Sequence, residues 1–228
     1  MPPEPRLLKL SSSLGFLARQ RLVGFAVPTE PHFESAETTA WFRSALETSG
    51  SYLEYGTGGS TVLAAASGVR FISVESDRLF LRNVERKIRE AGFYDPAKQM
   101  YRHVDIGLTG KWGRPIGSGL TERRRDMFRR YSDIPADLHG QPFQPDLVLV
   151  DGRFRVASAL KVLREFPGAD APLVAVDDYA GRAAYAVIAD FGHLKRLVGR
   201  LAVFRGLRPD ADLAALDAAI RVHETDPD

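Results

Sequence analysis

One stretch constrains the fold of this chain more than any other: SYLEYGTGGSTVLAAASGVRFISVESD, from Ser51 to Asp77. Ser51–Tyr55 has the aromatic and apolar character of a strand, and Gly56–Ser60 supplies the glycines of a tight turn. The pattern then predicts a helix over Thr61–Ala66 and a second strand over Arg70–Glu75. Strand, tight turn, helix and strand in this order form the repeating unit of a parallel α/β sheet.

Strand and helix patterns continue to alternate along the rest of the chain. Apolar runs bounded by acids predict strands buried on both faces, and apolar stripes at helical spacing predict the crossover helices. His193–Val198 and Arg200–Arg205 alternate around Gly199, which predicts a terminal hairpin. We therefore expect a mostly parallel sheet with helices on both faces. The other predicted elements are the strands Met100–Asp105, Asp146–Asp151 and Pro172–Asp177, and the helices Asp77–Ala91, Thr121–Tyr131, Phe154–Phe166, Gly181–Phe191 and Asp210–Val222.

Composition excludes several classes of function. The chain has 228 residues, a net charge of +2 and no cysteine. Such a length suits one sizeable α/β domain, and the small charge gives no reason to expect nucleic acid or a membrane surface as partner. Without cysteine there is no disulfide, no thiolate metal site and no cysteine nucleophile. No apolar run approaches the ~20 residues of a membrane helix.

The N-terminal part differs from the remainder. We expect residues 1–49 to form an arm with lead-in helices, one within Leu7–Leu22 and one over Ser35–Thr48, and residues 50–228 to form the ligand-binding domain. Charges interrupt the apolar positions of the first residues, which is unlike a secretory signal. A cytoplasmic protein is therefore expected, and a homo-oligomer is left open.

Acidic residues stand at or near the ends of the five predicted parallel strands. The carboxyl ends of parallel strands meet at one edge of a sheet, and ligands of open α/β sheets bind there. A single acid would be explained as a cap of the next helix. Five exceed what capping needs: Glu54, Glu75, Asp105, Asp151 and Asp177, the last followed by Asp178.

The glycine turn has the features of a nucleoside-binding site. Glu75 follows Gly56 by 19 residues, which matches the spacing of about 20 at which an acid binds ribose hydroxyls. Dinucleotide binders prefer G-x-G-x-x-G, whose last glycine is Thr61 here, and Glu54 would repel a pyrophosphate. A cationic cofactor, S-adenosylmethionine, is favoured over NAD(P). The alternatives are an NAD(P)-dependent oxidoreductase and a non-catalytic nucleoside-binding protein.

The motifs EYGTGGS, VE, Asp105 and DLVLVD resemble those of class I S-adenosylmethionine-dependent methyltransferases, over roughly residues 50–205. The resemblance implies a doubly wound, seven-stranded, Rossmann-like sheet with a C-terminal antiparallel hairpin. It also implies that Glu75 holds the ribose and Asp105 the adenine amino group. The amino-acid part of the cofactor would be held by Glu54, Gly56, Thr57, Gly58, Gly59 and Ser60, the last standing where many members have a third glycine.

The acids after the fourth and fifth strands point to the methyl acceptor. Asp151, Asp177 and Asp178 are predicted to converge at neighbouring strand ends and to offer oxygen ligands to Mg²⁺. This resembles metal-dependent O-methyltransferases, including the macrolide-sugar type. The alternative is that these acids cap helices or orient loops.

The same edge carries the expected catalytic groups. Asp151 and Tyr179 are predicted to act on a small-molecule or glycan-type hydroxyl. A basic cluster on the predicted helix Thr121–Tyr131, Arg123–Arg125 with Arg129 and Arg130, is expected to be a solvated helix face. The alternative is recognition of an anionic substrate such as a phosphosugar or an acidic glycan, and Arg153 and Arg155 beside Asp151 favour that alternative.

Overall fold

The glycine-containing stretch folds as a strand, a tight turn, a helix and a strand. In the computed structural model, which describes residues 26–117 and 119–228, the chain first forms helix α1 (Ala36–Glu47). Strand β1 (Ser51–Tyr55), helix α2 (Gly59–Ser67) and strand β2 (Arg70–Glu75) follow. The helix expected within Leu7–Leu22 lies outside the described residues.

The remaining elements complete the main sheet and its helical layers, and add a small separate hairpin. The strands are β3 (Gln99–His103), β4 (Asp137–Leu138), β5 (Gln141–Pro142), β6 (Leu147–Val150), β7 (Leu173–Val176), β8 (Gly192–Val198) and β9 (Leu201–Leu207). The helices are α3 (Arg78–Glu90), α4 (Glu122–Tyr131), α5 (Arg155–Glu165), α6 (Val187–Phe191) and α7 (Leu213–His223).

The main sheet has seven strands in the order β3-β2-β1-β6-β7-β9-β8. Strands β3, β2, β1, β6 and β7 are parallel, and β9 pairs antiparallel with both β7 and β8. This confirms the predicted Rossmann-like sheet with a C-terminal hairpin. Strand order reverses between β1 and β6, so the crevice at their carboxyl ends is where such sheets bind ligands.

Helices cover both faces of the sheet, as predicted for a doubly wound fold. On one face α1, α2 and α3 bury Phe42, Val62 and Ile88. On the other, α4, α5, α6 and α7 bury side chains such as Phe128 and Leu160. Each fully buried apolar side chain of this size contributes roughly 1.5–3 kcal/mol to folding. The two layers hold the strand ends in fixed positions.

Some local predictions differ from the structure. Asp105 lies two residues beyond the end of β3, and the predicted helix over Gly181–Phe191 is a 3₁₀ turn (Ala183–Ala186) followed by α6. A small separate hairpin, β4–β5, was not predicted. Within the described residues, no helix has the length and apolar character needed to cross a membrane.

Candidate active site

The turn after β1 packs directly against the turn after β6. Gly56 has φ +101° and its amide donates a 2.9 Å hydrogen bond to the Val74 carbonyl of β2. A Cβ atom on Gly56 would lie 2.5 Å from the Gly152 backbone nitrogen, closer than any side chain tolerates. Glycine is therefore required here by both backbone angle and space.

Glu54 is enclosed by hydroxyl groups at the end of β1. Its Oε2 accepts hydrogen bonds of 2.8 Å from the Tyr52 and Ser60 hydroxyls, and its Oε1 accepts one from Thr61. The residue has no exposed surface, and this burial raises the pKa of its carboxyl. Glu54 thus ties β1 to the first turn of α2. Its carboxylate does not line an open surface.

Glu75 joins the glycine turn to the turn after β2. Its Oε2 accepts from the Thr57 amide at 3.1 Å, and its Oε1 accepts from the Ser76 and Asp77 amides at 2.7 and 2.8 Å. Burial raises the pKa of Glu75 to about 7, although the three amides act in the opposite direction. Oε2 receives one described donor, so it can accept another from a ligand.

Asp105 is exposed in the loop beyond β3, where its Oδ1 accepts from the Gly107 amide at 2.8 Å. A cavity of about 260 Å³ begins at the next residue. A larger cavity, about 460 Å³, lies at the opposite edge of the sheet beside Gly50 and Gly68 and contains none of the predicted site residues. The smaller cavity is lined by Ile106, Gly107, Leu108, Ile116, Thr121, Arg123, Arg124 and Met127.

Asp151 and Asp177 converge at the ends of β6 and β7, with a buried arginine between them. The Arg155 side chain donates to Asp151 Oδ1 at 2.8 Å, and its Nη1 lies 3.5 Å from Asp177 Oδ2. It also donates to the backbone carbonyls of Asp151, Gly152 and Asp177 at 2.9, 3.1 and 2.8 Å. The guanidinium is therefore locked in place by both strand ends.

The two carboxyls lie close enough that each changes the pKa of the other. Burial raises the pKa of Asp151, against the opposing charge of Arg155. Burial and the neighbouring Asp151 charge raise the pKa of Asp177 to about 7. Since two carboxyls in contact disfavour double ionisation, the pair retains one proton near neutral pH. Asp151 is the more accessible partner, with 31% of its side chain exposed against 11% for Asp177.

The expected magnesium site does not fit these residues. Magnesium needs near-octahedral oxygen ligands, whereas Arg155 already supplies the positive charge between the carboxylates. Asp178 is turned towards Arg182 and Arg200, at 2.7 and 3.1 Å. Over residues 26–117 and 119–228, no group of three or more His, Cys, Asp or Glu is arranged to hold a metal ion. In the described residues all three of these carboxylates contact arginines, which occupy the place that the sequence prediction gives to Mg²⁺.

Two tyrosines after β7, Tyr179 and Tyr185, have different surroundings. Tyr179, predicted to be catalytic, packs edge-on against Phe204 with ring centroids 5.4 Å apart. Tyr185, which the sequence places within a helix, has a buried hydroxyl without a hydrogen-bond partner in the described residues. The signal that could have identified Tyr185 is its position a short turn after Asp177 and Asp178, at the same sheet edge.

Comparison with known proteins identifies the family. A scan against protein-family models gives no match, and neither does a search of curated proteins. Among solved structures, a methyltransferase-like protein from Silicibacter pomeroyi is 30% identical, with a TM-score of 0.71 over 87% of this chain and 100% of that one. The chain belongs to the class I S-adenosylmethionine-dependent methyltransferase family. This membership confirms the family predicted from the sequence and, with it, methyl transfer as the reaction class.

More distant solved structures share only the general outline of this methyltransferase-like chain. A Bacillus cereus O-methyltransferase is 14% identical over 79% of each chain, and a Geobacter sulfurreducens methyltransferase is 14% identical over 90% of this chain and 93% of that one. Both have a TM-score of 0.43. At this distance they do not indicate which acceptor the methyltransferase-like chain uses.

Proposed function

We propose that this chain binds S-adenosylmethionine across the ends of β1 and β2 and methylates a hydroxyl of a small molecule or sugar held at the ends of β6 and β7. The observation that carries the proposal is the direct packing of Gly56 on Gly152. It brings the glycine turn, the expected donor site, next to the Asp151 and Asp177 carboxyls. A donor and an acceptor held there would be adjacent, and holding two reactants in the right geometry lowers the barrier to reaction.

On the donor side, Glu75 supports the ribose. Three backbone amides fix its carboxylate, and Oε2 keeps capacity for a ribose hydroxyl. Glu54 acts indirectly, because its carboxyl group, bound to hydroxyls of β1 and α2, fixes the geometry of the turn. The cavity beginning at Ile106 supports adenine binding beside Asp105, since Leu108 and Met127 give it apolar walls.

On the acceptor side, Asp151 serves as general base. S-adenosylmethionine, when bound, supplies an electrophilic methyl carbon. Asp151 would take the proton of the acceptor hydroxyl as the methyl group passes to that oxygen and S-adenosylhomocysteine is left. Arg155 holds both carboxyls in position and balances their charge.

Calorimetry tests the donor side without knowledge of the acceptor. The wild-type chain is expected to bind S-adenosylhomocysteine and not NAD. Glu75→Gln is expected to weaken this binding at least tenfold, because it replaces an acceptor oxygen by a donor amide. The matched control is Glu85→Gln in α3, which removes a surface pair with Arg89 and leaves binding within twofold. Unchanged affinity in Glu75→Gln contradicts the proposed ribose contact.

A transfer assay tests the acceptor side. Labelled S-adenosylmethionine is incubated with a panel of hydroxylated small molecules and sugars, and Asp151→Asn is run beside the wild type. Transfer is expected to fall by 10²–10⁴ in the variant, the usual contribution of a general base, with S-adenosylhomocysteine binding unchanged. Binding without transfer across the whole panel favours a non-catalytic nucleoside-binding protein instead.

A further inference from the structure

Arg153 is a buried cation that the proposed mechanism does not use. It follows Asp151 by two residues, is 8% exposed, and its Nη1 atom has no hydrogen-bond partner among the described residues. Burial and the nearby charge of Arg155 lower the pKa of its guanidinium. A buried polar atom without a hydrogen-bond partner is costly, and a ligand, an ion or an ordered water is a common explanation for such an atom.

A second buried polar group beside Arg153 also lacks a partner. The Tyr185 hydroxyl is unpaired in the described part of the chain, and its residue is 2% exposed. Arg153 and Tyr185 are close enough that each affects the pKa of the other. The neighbouring cations Arg155 and Arg182 are already paired with acids. Arg153 and Tyr185 are thus the two groups here with donor capacity to spare.

A carboxylate of the chain itself marks the position that a ligand would take. Asp228 Oδ1 lies 3.2 Å from Arg114 Nη2 and 3.6 Å from Arg153 Nη1. For both arginines it is the one acidic partner within salt-bridge distance in the described residues. The Asp228 side chain is 62% exposed and reaches Arg153 beyond hydrogen-bond length, so a better-fitting anion can displace it.

We propose that Arg153, Arg114 and the Tyr185 hydroxyl bind an anionic group of the methyl acceptor, a carboxylate or a phosphate, in the place held by Asp228. This rests on the proposed function, because it assumes that the acceptor hydroxyl meets Asp151. A guanidinium forms paired hydrogen bonds with either oxyanion, and the Tyr185 hydroxyl adds a third donor. The acceptor would then carry its hydroxyl and its anionic group a few bonds apart.

Anion titration of the cofactor-loaded protein tests this site. Inorganic phosphate and acetate are titrated into the S-adenosylhomocysteine complex, with chloride at equal ionic strength as reference. Arg153→Gln is expected to weaken binding of phosphate, acetate or both at least tenfold, and Asp228→Asn to strengthen it at least threefold. The matched controls are Arg164→Gln and Asp217→Asn, an exposed pair at 3.0 Å on α5 and α7, which are expected to stay within twofold.

The outcomes separate the sources of the anionic group. Equal anion binding in wild type, Arg153→Gln and Asp228→Asn overturns the site, as does no anion binding at all. Loss of S-adenosylhomocysteine affinity in Arg153→Gln, with no anion effect, assigns Arg153 to the carboxylate of the cofactor and overturns the acceptor assignment. If Arg153→Gln does not fold, anion binding by Arg153→Lys and by Asp228→Asn, which changes an exposed residue, tests the site instead. Failure of the wild type to bind S-adenosylhomocysteine instead contradicts the proposed function.

Discussion

Arg155 is the residue on which the acceptor side depends. It is 5% exposed, and it faces Asp151, Asp177 and three backbone carbonyls. Arg155→Met removes the cation from the buried Asp177 carboxyl and the partly exposed Asp151 carboxyl, so the free energy of unfolding in urea is expected to fall by about 3–5 kcal/mol. Arg200→Gln is the control, because its pair with Asp178 is much more accessible to solvent, with 41% and 28% of the two side chains exposed, and its loss is expected to cost less than ~1 kcal/mol. A loss below ~1 kcal/mol in Arg155→Met contradicts this account.

The same arginine predicts how the chain responds to magnesium. In the wild type, millimolar Mg²⁺ and thorough chelation are expected to leave the melting temperature and S-adenosylhomocysteine affinity unchanged, because Arg155 already neutralises the carboxyls. In Arg155→Met, Mg²⁺ is expected to raise the melting temperature, since the acids regain a cation. Differential scanning fluorimetry measures both effects. A magnesium-dependent rise in the wild type would restore the metal site.

Asp177 predicts a pH dependence of stability. Its pKa is raised to about 7 in the folded chain, so the folded state holds a proton that the unfolded state releases near pH 4. Stability from this group is therefore greatest at low pH and falls by up to about 1.4 kcal/mol per pH unit until pH about 7. Urea unfolding between pH 5 and 8 should show a smaller decline in Asp177→Asn than in the wild type. Equal declines of the unfolding free energy with pH in Asp177→Asn and the wild type would contradict the raised pKa of Asp177.

At the scale of elements, the glycine turn has one position where a side chain does not fit, Gly56, and one where it does, Gly58. The two positions can be tested separately. Gly56→Ala places a methyl group against the Gly152 backbone at φ +101°, and is expected to destabilise the fold by at least about 2 kcal/mol and to abolish S-adenosylhomocysteine binding. Gly58 has φ 175° and open space at its Cβ position, so Gly58→Ala is expected to change stability by less than ~0.5 kcal/mol. Urea unfolding and calorimetry measure the two variants. Equal free energies of unfolding for Gly56→Ala and Gly58→Ala would contradict the close packing of Gly56 on Gly152.

The elements themselves could largely be predicted from the sequence, whereas their side-chain contacts could not. The strands β1, β2, β6 and β7 have apolar patterns that are typical of buried strands. The acids at their ends correctly indicate the edge of the sheet at which the site is proposed. Glu54 shows the limit, because its enclosure depends on hydroxyls from both β1 and α2. The residue type predicted a charge at the strand end, and the tertiary packing decided that this charge faces inward.

The arginine between the acids shows the same limit. Asp151 and Arg155 are four residues apart, but Asp151 precedes the helix, so helical spacing alone does not pair them. The pairing arises because Arg155 opens α5 directly above the ends of β6 and β7. A carboxylate cluster in a sequence predicts a site for a cation. Whether that cation is a metal or an arginine depends on the tertiary fold.

At the scale of the whole molecule, the strand order divides the carboxyl edge into two halves. Strands β3, β2 and β1 carry Asp105, Glu75 and the glycine turn, whereas β6 and β7 carry Asp151 and Asp177. The loop of residues 105–117 connects the halves, because Gly113 lies near both the Ser76 hydroxyl and Arg153. Binding of the cofactor is therefore expected to reduce local opening of the backbone across the first half and along this loop.

Hydrogen exchange with S-adenosylhomocysteine tests that division. Protection is expected in residues 54–61, 75–78 and 105–117, because ligand contacts there suppress local opening. Strands β8 and β9 are the internal control, since they lie at the far side of the sheet. Phosphate added to the complex is expected to protect residues 151–155 as well. Protection centred instead on Gly50 and Gly68, at the larger cavity on the opposite edge, would place the cofactor elsewhere and contradict the assignment of the site to the strand ends.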